Sequence, residues 1–324
     1  MKRLSRIAIG IFVTMAVAFL LSAGHSSLVP AVSAAAAQDP GAQYPPPDQG
    51  PDPAAVNQAP DSSAAPSGQS YTTQAPPPPG QDYDDSQYAE QPTANAPEAP
   101  PALPDYDQPP PPGDGYIWEP GYWAWGAYGY YWVPGSWVEP PYAGALWTPG
   151  YWGFYGGRYL FYPGHWGLHI GFYGGINYGF GFFGFGYEGG YWNAGHFFYN
   201  RAYNNIDARV VRNVYNYHVD NRVVVNHVVN NSRPSFRGGA GVQVRPQAPE
   251  VRAWQEPTAP RMNSQRQHAE DYGAVREQYA NQNHGQPPNA AIRGPLPADR
   301  NMQPQPRNSG GQQRGGESGG GRHR

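Results

Sequence analysis

Hydrophobic positions are spread very unevenly along this chain. Residues 7–23 form a nearly unbroken apolar run, preceded by Lys2, Arg3 and Arg6 and followed by the small-residue stretch Ala31-Val-Ser-Ala-Ala-Ala-Ala37. That order predicts an export signal over residues 1–37, cleaved just before Gln38. An uncleaved anchor over Ile7-Ala23 is the alternative, since the run is barely long enough to span a bilayer. Residues 38–115 then lose all hydrophobic periodicity. They consist of Pro runs (76–79, 109–112) with Ala, Gln, Ser and Asp, and hold 12 acidic residues with no Lys or Arg. Such a stretch buries too little apolar surface to offset chain entropy and is predicted to be a disordered, partly polyproline spacer.

From residue 116 to 200 the pattern changes to dense aromatics. A short phrase recurs as Trp118-Glu-Pro-Gly-Tyr-Trp123, Trp132-Val-Pro-Gly-Ser-Trp137 and Trp147-Thr-Pro-Gly-Tyr-Trp152, with Phe161-Tyr-Pro-Gly-His-Trp166 a near copy and Trp192-Asn-Ala-Gly-His-Phe197 a decayed one. The first four begin 14, 15 and 14 residues apart, and such a fixed period decides architecture. Pro120-Gly121, Pro134-Gly135, Pro149-Gly150 and Pro163-Gly164 read as turns, most simply type II with the glycine at positive φ. The two aromatics five apart then face each other across a hairpin. Type II splays two-residue hairpins, so corners or wider loops are the other possibility. A second punctuation at Gly126-Ala-Tyr-Gly129 and Gly156-Gly157 leaves strands of about five residues, too short for the roughly 9–11 that cross a membrane as β-structure. An integral membrane barrel is therefore not expected.

The stretch holds 9 Trp, 9 Phe, 15 Tyr and 21 Gly, with rings at successive positions such as Tyr130-Tyr131-Trp132, so both faces of a strand carry them. Either the rings are the core of a small β-fold, or Trp118, Trp123, Trp132, Trp137, Trp147, Trp152, Trp166 and Trp192 form a contact surface. Residues 201–240 are rich in Asn and Val and predict two or three more strands. Residues 241–324 are Gln-, Arg- and Gly-rich and mostly disordered by composition. Ser264-Gln-Arg-Gln267 there fits a capping box that opens a marginal helix over 265–282, ended by Gly285. The predicted fold is all-β, a small meander of short strands built on the aromatic repeats, flanked by long disordered segments and one marginal C-terminal helix.

Charge and chemistry add little to that picture. Net charge is −3, but residues 201–324 carry 17 Arg against 9 acidic residues. A basic tail on an exported chain suits an anionic envelope surface, the chain's own acidic spacer or simple solubilisation rather than nucleic acid. The absence of cysteine excludes disulfides, thiolate nucleophiles and Cys-ligated metals. His165 and His169 share a strand face and His196 sits in a turn, without the three or four convergent ligands a metal needs. Glu119, Glu139 and Glu188 do not frame a cleft as glycosidase carboxylates must, and no nucleophile elbow or phosphate loop is present. No catalytic, cofactor or metal residue is expected.

At its repeated phrases, and in the tracts Tyr199-Asn-Arg-Ala-Tyr-Asn-Asn and Arg233-Pro-Ser-Phe-Arg-Gly-Gly, the chain resembles bacterial envelope proteins carrying WXXGXW (YXWGXW) repeats. The resemblance implies an exported envelope protein without established activity, and no catalytic residues to carry over. Two roles are expected. One is a non-catalytic platform of aromatic β-repeats contacting an envelope glycan or the outer-membrane surface, in the periplasm or at the outer membrane. The other is a self-assembling structural protein.

Overall fold

A computed structural model describes residues 89–218, 233–299 and 301–307, all within the unit Gly41–Arg324. The expected signal, most of the spacer, the Val-rich run 222–229 and the Gly/Arg-rich end lie outside the described residues. The chain runs through β1 (Ala94–Ala96), β2 (Ile117–Glu119), β3 (Tyr122–Gly126), β4 (Gly129–Val133), β5 (Ser136–Val138), β6 (Leu146–Thr148), β7 (Tyr151–Tyr155), β8 (Arg158–Tyr162) and β9 (His165–Gly167). It continues through β10 (Asn177–Gly179), β11 (Phe182–Phe183), β12 (Gly190–Asn193), β13 (His196–Asn200), β14 (Val214–Tyr215) and β15 (Phe236–Arg237). Last come α1 (Ala248–Trp254), β16 (Ala259–Pro260), α2 (Asn263–Gly273) and α3 (Ala280–Asn283). Small sheets of short strands dominate, as the aromatic periodicity predicts.

The repeats fold in pairs. β2 pairs with β5 and β3 with β4, so phrase one lies against phrase two; β6 pairs with β9 and β7 with β8, so phrase three lies against phrase four. Proline has no N–H for a ladder, so pairing stops at each Pro-Gly. It resumes in unchanged register, with Glu119 opposite Ser136 on one side of the gap and Tyr122 opposite Val133 on the other. Each pair is one long hairpin, interrupted midway where Pro-Gly faces Gly-Pro. The reversals lie at Ala127-Tyr128, between paired Gly126 and Gly129, and at Gly156-Gly157, whose φ values of 56° and 79° make a primed turn.

The Pro-Gly steps are therefore corners, and the aromatics five apart do not face each other. Trp118 pairs with Trp137, Trp123 with Trp132, Trp147 with Trp166 and Trp152 with Phe161, each at 5.2 Å between ring centroids. The decayed phrase is the exception. Trp192 does face Phe197 within its own phrase, across a turn in which Ala194 and Gly195 have φ of 48° and 80°. Proline is locked near −65° and cannot enter such a turn. Loss of proline at 194 is what lets this phrase close on itself.

The expected role of glycine is corrected too. Gly121, Gly135, Gly150 and Gly164 are not at positive φ. A Cβ on Gly121 would meet Trp132 Cζ2 at 2.3 Å, one on Gly135 would meet Trp118 at 2.6 Å, one on Gly164 would meet Trp147 at 2.4 Å, and one on Gly150 would meet Phe161 at 2.9 Å. The first ring of each phrase lies on the glycine of its partner, reciprocally. At 121, 135 and 164 glycine is required because an aromatic ring occupies the place of its side chain, while at Gly150 the Gly164 nitrogen and Tyr162 carbonyl, both at 2.7 Å, stand closer than the ring.

Burial supplies most of the energy. An indole removing about 200 Å² from water at about 25 cal/mol per Å² contributes roughly 5 kcal/mol, against about 1 kcal/mol for the edge-to-face geometry of a pair. The pair geometry therefore specifies register, while burial holds the fold. The two hairpins meet through Tyr122 stacked on Phe161 (5.5 Å, 10°) and the Trp152 indole N–H donating to the Trp123 carbonyl at 2.7 Å. The β12–β13 hairpin joins them through Tyr199, whose hydroxyl donates to the Tyr116 carbonyl at 2.8 Å, and Trp192, which donates to Ala145.

Two further expectations change. Residues 89–115, assigned to a disordered spacer, pack against the repeats: β1 pairs with β8, and Leu103 and Gln108 are buried. Residues 241–307, expected to be largely disordered, wrap the other side with α1, β16, α2 and α3. The helix expected over 265–282 starts at Asn263 and breaks at Ala274, with a 3-10 turn at Arg276–Gln278 and α3 completing the span. Its N-cap is Met262, whose N–H is accepted by Gln265; Ser264 instead donates to the Pro297 carbonyl. α1 carries its own start signal, Pro249 in the first turn and Glu250 accepting the Gln247 N–H at 2.7 Å. In the Asn/Val region β14 and β15 are the described strands, both pairing parallel.

Candidate functional site

The eight tryptophans singled out as a contact surface do not form one. Trp118, Trp123, Trp132, Trp137, Trp147, Trp152 and Trp166 are 0–2 % exposed, and only Trp192 is half-buried. Both faces of the aromatic strands are covered, and the cover is the low-complexity chain on either side. Indole N–H groups donate to backbone carbonyls of these flanks: Trp123 to Ala102 (3.1 Å), Trp137 to Pro109 (2.7 Å) and Trp132 to Ala290 (3.0 Å). A proline-rich segment makes no ladder of its own, so its carbonyls are free to accept.

The corner residues are served in the same way. With the ladder broken at each Pro-Gly, backbone groups are left over and must find partners. The Gly121 N–H donates to the Tyr106 hydroxyl at 2.9 Å, and the Gly150 carbonyl accepts from Tyr178 at 2.6 Å. The Pro134 carbonyl is met by His268 Nε2 at 2.9 Å. Gly135 donates to Ala290 and accepts from Ile292, while Leu296 donates to Trp137 and accepts from Glu139, so residues 290–296 meet the β5 segment at two isolated parallel bridges, with a bend at 293–294 between them. Pro149 and Pro163 interrupt the second hairpin as Pro120 and Pro134 do the first.

Side-chain amides complete the attachment. Asn204 and Asn205 clasp Gln108 of the N-terminal flank: Gln108 Nε2 donates to Asn204 at 3.2 Å, and the Asn205 N–H and Nδ2 donate to Gln108 at 3.0 and 2.9 Å. Asn200, fully buried, donates to the Glu188 and Tyr217 carbonyls and accepts from Ala202 and Tyr217. Gln265 on α2 accepts the Trp166 indole N–H at 2.9 Å and donates to Glu119 at 2.9 Å. Glu119 in turn lies 3.4 Å from Arg261, which also bonds and overlies Tyr122. Burial opposes charge on Arg261, but Tyr122 and Glu119 more than offset it, so the guanidinium is held charged. Burial also pushes the Tyr122 hydroxyl far up. Sequence reasoning missed these polar residues because Gln and Asn in biased stretches read as composition; the tract Tyr199–Asn205 was the one visible mark.

The other chemical candidates are apart from one another in role. His165 is buried with its ring 6.4 Å from Trp254, and burial together with the Arg307 charge holds it well below the ordinary histidine value. His169 pairs with Glu256 at 2.8 Å, and His196 is exposed in its hairpin. Glu119 and Glu188 are buried and Glu139 is exposed. Among the described residues no group of three or more His, Cys, Asp or Glu could hold a metal ion, and no helix is long and apolar enough to cross a membrane.

Among the described residues lies an open groove of about 500 Å³, lined by Asp105, Tyr106, Asp107, Asn177, Gly179, Phe180 and Arg233. The Phe180 ring lies 5.0 Å from Tyr106 and 5.6 Å from Trp118. Arg233 donates to the Pro104 carbonyl at 3.0 Å and pairs with Asp105. Burial raises the Tyr106 hydroxyl well above its ordinary value, keeping it protonated.

Residues 113–138 match the family model of the WXXGXW repeat, in two copies. Those copies are the two phrases of the first hairpin, and the second hairpin repeats their geometry outside the matched residues. No curated protein and no solved structure matches the chain.

Proposed function

We propose that this WXXGXW-repeat chain is a non-catalytic, exported envelope protein whose aromatic repeats are a structural core rather than a contact surface. The observation carrying this reading is the set of indole N–H bonds from Trp123, Trp137 and Trp132 to Ala102, Pro109 and Ala290. Through them, polar and proline-rich flanks that could not fold alone become the cover of the repeats. The chain contains no cysteine, so such packing replaces the disulfides that small exported domains commonly use. Export itself rests on the composition of residues 1–37.

Edge coverage supports this reading over self-assembly. The outer edge of β5 is met by two bridges from Ala291 and Leu296, β8 carries β1, β7 carries β15 and β9 carries β16. Covered edges do not template pairing between copies. The test is fractionation of the native cells followed by salt and then detergent washes of the envelope. Recovery in the periplasm or salt-released envelope fraction, shortened at the N-terminus and monomeric on sedimentation, is expected. Recovery in the cytoplasm with residues 1–37 attached, or as sedimenting cross-β assemblies, overturns it.

A further inference from the structure

We propose that the groove between the N-terminal flank and the β10–β11 hairpin is a carbohydrate-binding site that takes a neutral mono- or disaccharide unit. The inference is independent of where the protein resides and of the structural role of the repeats. Its volume of about 500 Å³ falls in the range of roughly 300–1,000 Å³ common for small-molecule sites. Its walls combine the Phe180 and Tyr106 rings with planar hydrogen-bonding groups. Phe180 is half-buried and backed by Tyr106 at 5.0 Å, whose own hydroxyl is tied to Gly121. The ring is therefore held in place before any ligand arrives, and the apolar C–H face of a pyranose matches it.

The polar groups suit hydroxyls, which both donate and accept. Asn177 lines the groove with its Oδ1 engaged by the Gly179 N–H at 3.0 Å, which leaves its Nδ2 as the donor end of the amide. Asp105 is largely exposed and already paired with Arg233. Asp107 adds a second carboxylate at the rim, leaving the groove one negative charge in excess of Arg233. That balance favours a neutral polyol over a phosphate or uronate.

Backbone conformation marks the same place. Five non-glycine residues among those described have positive φ. Ala194 lies in a primed turn, His284 caps a helix and Asn301 is a residue type that tolerates the region. The other two, Phe180 at 54° and Arg233 at 38°, both line this groove. Phe180 occupies a two-residue turn between paired Gly179 and Phe182, where Gly, Asn or Asp would be unstrained. Such outliers gather at ligand clamps, where the conformation serves the site.

The test uses the full mature chain, titrated calorimetrically with maltose, cellobiose and N,N′-diacetylchitobiose, with glucuronic acid as the anionic probe. Saturable binding of at least one neutral sugar is expected, with a Kd on the order of 1 mM or tighter. Asp107→Ala, at an exposed position, and Phe180→Gly, which removes the ring while relieving the backbone, are each expected to weaken it at least tenfold with unchanged far-UV circular dichroism and a cooperative unfolding transition. No saturable binding by any neutral probe, equal binding of glucuronic acid, or wild-type affinity in both folded variants overturns the assignment.

Discussion

Gly121→Ala tests the central claim about the repeat, that its glycine is required by a ring and not by a turn. The new Cβ would lie 2.3 Å from Cζ2 and 2.7 Å from Cε2 of Trp132, and 3.0 Å from the Gly135 nitrogen. Carbon atoms prefer about 3.5–4.0 Å. Trp132 cannot swing aside cheaply, because it is fully buried, paired with Trp123 at 5.2 Å and bonded through its N–H to Ala290 at 3.0 Å. Overpacking of this kind costs about 1–3 kcal/mol, and loss of the indole hydrogen bond adds about 1 kcal/mol. Because Gly121 is not at positive φ, no backbone strain enters, and alanine would otherwise stabilise by about 0.4–1 kcal/mol through the unfolded chain. The expected net loss is about 1–3.5 kcal/mol, or roughly 2–14 °C in Tm for a domain of this size.

The assay is denaturant unfolding followed by tryptophan fluorescence, with Gly294→Ala, where nothing lies within 4 Å of the new atom, as the control. Trp132→Phe should partly rescue Gly121→Ala, because it removes Cζ2, the ring atom nearest the new Cβ at 2.3 Å. A Gly121→Ala protein within about 0.5 kcal/mol of wild type, or a double-mutant cycle with no coupling, refutes the reasoning.

Three other outcomes follow from the same geometry. Ala194→Pro, which would make the fifth phrase look more like the others, should destabilise by about 3 kcal/mol in the same assay, since proline cannot adopt φ of 48°. Glu119→Ala removes a carboxylate held by Gln265 and Arg261 in the interior and should cost about 3 kcal/mol or more by leaving a buried charge underpaired, with Glu119→Gln milder. Burial and the Arg307 charge keep His165 from protonating, so on acidification the unfolded chain takes up its proton near 6.5 while the folded one resists. Stability should therefore fall as pH drops below about 6.5, by up to about 1.4 kcal/mol per unit from this group. A His165→Gln variant should show a shallower acid limb in stability measured against pH, and an unchanged limb would count against the assignment.

Local chemistry was legible wherever it acted locally. The period of the phrases, the short strands and the reversals at Gly126–Gly129 and Gly156-Gly157 can all be read from residue order. The meaning of Pro-Gly could not, because the same two residues make either a turn or a gap in a ladder. The choice depends on which strand lies opposite, a contact between phrases rather than within one. Burial of the tryptophans was likewise undecidable from their density, since covering them takes chain from residues 89–115 and 241–307. Those flanks looked disordered because composition measures the apolar surface a segment brings itself. What they contribute is backbone carbonyls, Gln108, Gln265 and His268, and these acquire value only against unpaired indoles and broken ladders elsewhere. The sequence by itself therefore determined the repeat and its strands; only the tertiary structure decided their pairing and their cover, because both depend on partners distant along the chain.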